Sequence, residues 1–279
     1  MSKENNTKRI LFVYDYKFDS LWRDGLWAAL RILEKDFEID RHNLHEENYE
    51  LVFDYEKYDF VLGWGAYGSP VDKALTSIKE NKKAKHLPVG LCMAGNASPV
   101  PTANIYDVIF YETEWVKDNY LKPVDGKMVH AFGVNTDIYN KWEEAPIIWD
   151  WLSVGSFSYW KRQKKMIPKP GTKFIVGEIQ RDNWQESFDI ISDLLLAGVG
   201  ISDMLYPTKL RNIYNCAETI YIPADINGGG ERCVLEARAC GRPVDIERDN
   251  PKLEELVNGP IFDSYYYAGQ LKNGIMSIL

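Results

Sequence analysis

Along the chain, short apolar runs alternate with stretches in which apolar residues recur every three or four positions. Residues Arg9 to Asp15 read R-I-L-F-V-Y-D, a continuous apolar run of the kind that forms a strand buried on both faces. Leu21 to Lys35 follows with Leu26, Ala29, Leu30 and Leu33 at helical spacing, and Phe37 to Asp40 reads as a second strand. Together they predict a βαβ unit. The same rhythm predicts strands at Phe60–Leu62, Val89–Cys92, Val108–Tyr111 and Met128–Ala131, with helices over 70–81 and 115–120. Alternation of this kind favours a mostly parallel sheet covered by helices, with ligands at the carboxyl ends of the strands.

Between Asp137 and Pro146 the pattern lapses into a polar stretch, and a new apolar strand begins near Trp151 to Val154. The boundary is placed there, giving domains 1–145 and 146–279. The second half carries strands at Phe174–Val176, Thr219–Ile222 and Pro243–Ile246, with helices near 188–196, 209–217 and 231–240. The expected fold class is α/β, built from two Rossmann-like domains.

Composition narrows what such a chain does. With 279 residues, 45% of them hydrophobic, it can bury sizeable cores. A net charge of −8 argues against a surface built to neutralise phosphates along a nucleic acid, local basic patches aside. Cys92, Cys216, Cys233 and Cys240 contain no C-x-x-C pair, which indicates neither a zinc cage nor a redox motif and reads as reduced thiols of a cytoplasmic protein. The first eight residues are polar, and no apolar run approaches bilayer-spanning length. His42, His45, Glu46 and Glu47 are metal-compatible types, but their spacing fits no ligand pattern and reads as a solvated loop; His130 reads as a packed strand-end residue.

The chemistry concentrates in Asn227 to Val244, N-G-G-G-E-R-C-V-L-E-A-R-A-C-G-R-P-V. Gly228, Gly229 and Gly230 precede a helix, where glycines admit a ligand close to the backbone and the N–H groups of the helix start form an anion site. Glu231 and Glu236 are five residues apart, so on a helix they point about 140° apart and serve different parts of a ligand. The competing reading is a plain turn, with Glu231 favouring the helix dipole and Gly241-Arg242-Pro243 ending the helix.

Glu236-Ala237-Arg238-Ala239-Cys240-Gly241-Arg242-Pro243-Val244 resembles the donor motif of retaining GT-B glycosyltransferases, above all the family-four group (glycosyl transferases group 1). The resemblance implies two Rossmann-like domains facing across a cleft, the first binding the acceptor and the second a UDP- or GDP-sugar, and it allows the last helix to return to the first domain. It implies that Glu236 holds the ribose hydroxyls. The family's first glutamate falls on Gly228, and Glu231 stands nearby as its replacement toward the transferred sugar. Trp151 to Phe157 resembles the strand and loop opening the family's second domain, which implies that Gly155, Ser156 and Lys161 face the diphosphate. Ser156 stands where the family has arginine, leaving Lys161 to act alone or with Arg162 or Arg232.

Phe174 to Glu178 resembles a further strand end of the family. Leu205 to Leu210 resembles the loop at the nucleotide base, which assigns Tyr206 and Pro207 to the donor. The first domain departs from the family: no Gly-Gly loop follows the first strand in Asp15 to Gly25, and no histidine stands near Met93-Ala94-Gly95.

The expected activity is a metal-independent glycosyltransferase acting with retention on a saccharide or other hydroxyl acceptor, with no cofactor beyond the donor. The absence of an Asp-x-Asp motif disfavours the metal-dependent GT-A class. The chain is short for the family, so an alternative acceptor is a modified base of phage DNA, which would place a viral enzyme in the host cytoplasm. The six basic residues from Lys161 to Lys173, around Trp160, read as a solvated run or as a contact to the phosphates of a donor or of such a polyanionic acceptor. A further alternative is a non-catalytic protein of the same fold that binds sugar nucleotides.

Overall fold

A computed structural model describes residues 7–16, 25–51, 53–93, 104–121, 124–180 and 183–279. The start of the helix expected from Leu21, the stretch after Tyr16 and the loop after Met93 lie outside the described residues. The chain forms two compact units.

Unit 1 gathers the described residues before Lys17, Leu26–Phe132 and Ser264–Leu279. Its elements run β1 (Arg9–Tyr14), α1 (Gly25–Leu33), β2 (Glu38–Asn43), β3 (Phe60–Gly65), α2 (Pro70–Glu80), β4 (Val89–Met93), β5 (Val108–Tyr111), α3 (Glu114–Val116) and β6 (Lys127–His130). All six strands are parallel, in the order β2-β1-β3-β4-β5-β6. The apolar runs of β3, β4 and β5 are buried on both faces, as a sheet covered on two sides requires. Ser69 caps α2 by accepting from Asp72 N, and Pro70 stands in the first turn, where its missing N–H costs nothing.

Unit 2 holds Gly133–Asp263 together with Gly25. It runs β7 (Trp149–Val154), β8 (Lys173–Gly177), α4 (Trp184–Leu196), β9 (Gly200–Asp203), α5 (Pro207–Asn215), β10 (Ala217–Ile222), α6 (Glu231–Ala239), β11 (Val244–Ile246) and α7 (Pro251–Asn258). Its five strands are also parallel, in the order β11-β10-β7-β8-β9. Phe157, Met166, Ile175, Ile190, Leu194, Val199 and Tyr221 form a core beneath α4. The last helix, α8 (Ser264–Met276), belongs to unit 1 and packs on β5 and β6.

The apolar runs give the strands their places, while β9 and α7 arise where the periodicity carries no expectation. His130 is a strand-end residue with both ring nitrogens engaged, Nδ1 at 3.0 Å from the Tyr266 hydroxyl and Nε2 at 3.2 Å from the Glu112 carbonyl. The four cysteines are free and buried.

Candidate functional site

The candidate site lies at the carboxyl ends of β7 and β10, where an open parallel sheet presents its loops. β7 leads into Gly155, whose backbone turns at φ +150 against the side chain of Lys161. The following loop is fastened to β8 and α4: Phe157 N donates to the Glu178 carbonyl at 2.9 Å, and the Ser187 hydroxyl donates to the Phe157 carbonyl at 2.8 Å. Ser156 is held too, its carbonyl accepting from Gln163 Nε2 at 2.6 Å and its hydroxyl from Gln180 Nε2 at 3.3 Å. A single tight turn, Tyr159–Lys161, then ends at Arg162, which adopts a left-handed conformation (φ 52).

The loop after β10 closes onto that turn. Asp225 N donates to the Trp160 carbonyl at 2.9 Å, and the buried Asn250 donates from Nδ2 to the carbonyls of Ala224 and Asp225 at 3.1 and 2.8 Å. Gly228 must be glycine for a steric reason, because a Cβ there would run into the Trp160 carbonyl. Gly230 begins α6 at φ +116, a conformation that disfavours a side chain, and no side chain caps the helix. The first-turn N–H groups of α6 and its positive dipole end are therefore directed at whatever occupies the loop.

Lys161 is the cation of this corner. It is half-buried, and desolvation pushes its ammonium below the ordinary lysine range, while Glu231 and Cys233 pull it up and Arg232 and Lys252 push it further down. Among the described residues no carboxylate forms an ion pair with it. Glu231 and Glu236 are both nearly inaccessible, at 6% and 2% exposure, and each has a protein partner. Glu231 Oε1 pairs with Lys252 Nζ at 2.8 Å, and that lysine, on α7, is fully buried. Glu236 accepts from the Tyr214 hydroxyl at 2.9 Å and lies 3.6 Å from Arg232 Nε. Tyr139 packs edge-on against Tyr214, with centroids 6.1 Å apart, and burial followed by the charge of Glu236 raises its phenol. Burial likewise raises the Cys233 thiol, which donates to the Val154 carbonyl at 3.4 Å.

Of the residues singled out from the sequence, Gly155, Lys161, Gly228, Gly230, Glu231, Arg232 and Glu236 share one corner. Gly229, also left-handed at φ 66, lies in the same turn. Tyr206 and Pro207 stand at the start of α5 after β9, with Tyr206 71% exposed. Arg162 faces acids instead, at 2.6 Å from Asp249 and 3.4 Å from Asp225. Sequence reasoning missed Lys252, Asp225, Asn250 and Asp249, whose roles come from contacts between distant segments. Within the basic run Lys164 is paired to Asp193, Lys165 to Glu247 and Lys169 to Asp245. Among the described residues no group of three His, Cys, Asp or Glu side chains is placed to hold a metal ion. Nor is any described helix long and apolar enough to cross a membrane.

The two units are all-parallel α/β, the second ending its strands at a glycine loop and an uncapped helix, and this fold matches that of solved GT-B glycosyltransferases. No protein-family model and no curated protein sequence matches the chain. Solved structures do. Anabaena Alr3699/HepE in complex with UDP-glucose is similar with a TM-score of 0.65 at 13% identity, over 96% of this chain and 89% of that one. Sucrose-phosphate synthase from Thermosynechococcus elongatus gives 0.63 at 12%, over 97% and 90%. AviGT4, a glycosyltransferase involved in avilamycin A biosynthesis, gives 0.62 at 12%, over 96% and 88%.

Proposed function

We propose that this protein is a glycosyltransferase that takes a hexose from a UDP-sugar and passes it to a hydroxyl group of a saccharide, with retention of configuration and without a metal ion. The observation that carries the reading is Lys161: a half-buried ammonium without an acidic partner among the described residues, within electrostatic reach of the uncapped first turn of α6. Leaving an ammonium in such surroundings costs free energy that an anionic ligand would offset. The amides of Gly229 and Gly230, the helix dipole and Lys161 then bind a diphosphate and stabilise the charge that grows on it as the glycosidic bond breaks, the Gly228 amide being bonded to the Asp225 carbonyl at 2.9 Å. The UDP-glucose complex of the similar Anabaena protein supports this choice of donor.

In this reading Glu236 receives the ribose hydroxyls, its carboxylate aimed by Tyr214 and Arg232. Glu231 reaches toward the sugar from a position set by Lys252. The exposed Tyr206 ring is free to stack on the base, beside Pro207. With the donor phosphate taking the acceptor's proton on the same face from which it leaves, no base from the protein and no metal is needed. The pairing of Lys164, Lys165 and Lys169 with acids of the protein supports a saccharide rather than DNA as acceptor.

The test is direct. UDP should bind to the full chain, and UDP-glucose should be hydrolysed slowly in water and transferred faster to a saccharide, with an α-linked product by NMR. Absence of UDP binding would sink the proposal, and a β-linked product would remove the retaining mechanism.

A further inference from the structure

In unit 2 the sheet ends at β9, and α4 carries the chain from β8 to that edge strand. The helix buries Ser187, Ile190 and Leu194 against the core, yet it bears a second set of apolar residues. Trp184, Phe188, Ile191 and Leu195 recur at helical spacing and fall within about 60° of one another, roughly 100° around the helix from the buried set. Trp184, Phe188 and Leu195 are 57%, 50% and 56% exposed. The rings of Trp184 and Phe188 meet edge to face, with centroids 6.0 Å apart.

The acids of α4 fix which way this stripe looks. Glu186 accepts from Tyr159 N and Asp193 pairs with Lys164, so the flank that bears them faces the segment after β7. Asp189 lies toward the same flank and accepts from Gln185 Nε2 at 3.1 Å. The stripe occupies the opposite flank. Because β8 stands between β7 and β9, that flank lies toward the open edge of the sheet. Exposed and uncharged, Gln185 and Ser192 border it on the solvent side.

An exposed apolar patch with a polar rim marks a surface that another body covers. A membrane fits it poorly, since α4 has three acids and no basic residue. A second copy of the chain fits it well. The stripe has its aromatic pair at one end and its aliphatic pair at the other. A two-fold axis beside residues 189–190 therefore sets Trp184 of one copy against Leu195 of the other, and Phe188 against Ile191. At half exposure the two rings and Leu195 offer roughly 300 Å² of apolar surface, whereas a dimer of ordinary size takes about 800 Å² from each copy, an apolar core within a polar rim. The stripe has the size of such a core, with Gln185, Ser192 and the outer side of β9 as rim. We infer that this chain forms a two-fold dimer through the α4 stripe and the β9 edge of unit 2, the two α4 helices running antiparallel. Nothing in this interface depends on the donor site around α6.

Sedimentation velocity of the full chain across the micromolar range tests the dimer, with a circular dichroism spectrum recorded for each protein. Wild type should sediment as a dimer. Phe188→Glu and Leu195→Glu, at exposed positions where a charge leaves the fold intact, should raise the dissociation constant at least tenfold with an unchanged spectrum. Ile147→Glu, at an exposed apolar position outside the stripe, should leave the dimer as it is. A mixture of Phe188→Cys and Ile191→Cys chains should cross-link on oxidation more readily than either chain alone, and equal cross-linking in all three samples would overturn the antiparallel arrangement. Wild type that stays monomeric, or a dimer that Phe188→Glu does not weaken, overturns the interface. Monomeric wild type that binds phosphatidylcholine and phosphatidylglycerol vesicles, and loses them in Phe188→Glu, gives the stripe to a membrane instead.

Discussion

Lys161 and the basic side chains that follow it are neighbours in sequence and opposites in circumstance. Arg162, Lys164, Lys165 and Lys169 each face an aspartate or glutamate, drawn from α4 or from residues 225–249. Lys161 has no such partner among the described residues and is pressed toward its neutral form by burial. The first group is already paired within the protein; the Lys161 side chain instead lies against Gly155. Density of positive charge along a sequence thus does not tell which of the charges the fold pairs internally.

The comparison breaks most readily at Lys161. Lys161→Ala should lower kcat for transfer from UDP-glucose by about 10²–10³-fold, the range found when one charge-stabilising group is removed from a reacting centre. Lys161→Arg should lose less, because it keeps the charge. A Lys161→Ala enzyme within twofold of wild type would erase the distinction from the paired run.

The next effect falls on the ion pair beneath the site. Lys252→Met leaves Glu231 buried without its partner and should cost about 3 kcal/mol by urea unfolding. The double variant Glu231→Leu, Lys252→Met should recover most of that loss, since a well-packed apolar pair often matches a buried ionic one. If it also transfers sugar at the wild-type rate, Glu231 has only an architectural role.

A smaller effect sharpens the sign of the Lys161 assignment. Desolvation depresses its ammonium, whereas a bound diphosphate favours the charged form. UDP affinity should therefore be flat below the pKa of Lys161 in the free protein and fall as alkaline pH passes through it, earlier than for an ordinary lysine. Calorimetry across that range should show proton uptake on binding, and Lys161→Arg should flatten the curve. The least effect belongs to the paired run: Lys164→Ala and Lys165→Ala should change stability by about 0.5 kcal/mol or less and transfer by less than twofold.

Much of the fold is legible in the chain because buried parallel strands need continuous apolar runs, as in R-I-L-F-V-Y of β1 and the residues of β5. The glycines before α6 and the carboxylates on it are legible for a related reason: backbone approach and helix ends are local matters. By contrast, β9 reads G-I-S-D, too short and mixed to stand out, and its place comes from pairing with β8. The partners that decide how each charge behaves are also non-local. Lys252 stands 21 positions after Glu231, and Asp249 stands 87 after Arg162. His45 is the same case in unit 1: its sequence neighbours suggest a solvated loop, and its contact with Asp15 joins segments that follow β2 and β1.

The placement of α8 bears on how the protein comes to be folded. This helix covers β5 and β6 so tightly that a methyl at Gly274 would strike the Phe110 ring, yet it is translated after the whole of unit 2, about 130 residues later than the sheet it covers. At about 5–20 residues per second, the flank of β5 and β6 waits roughly ten seconds on the ribosome for its last layer. Unit 2 is continuous over Gly133–Asp263 and meets no such delay. During synthesis the order of completion is therefore inverted, the second unit closing before the first, and the interval in which the nascent sheet lacks its helix is when a chaperone would have most to hold.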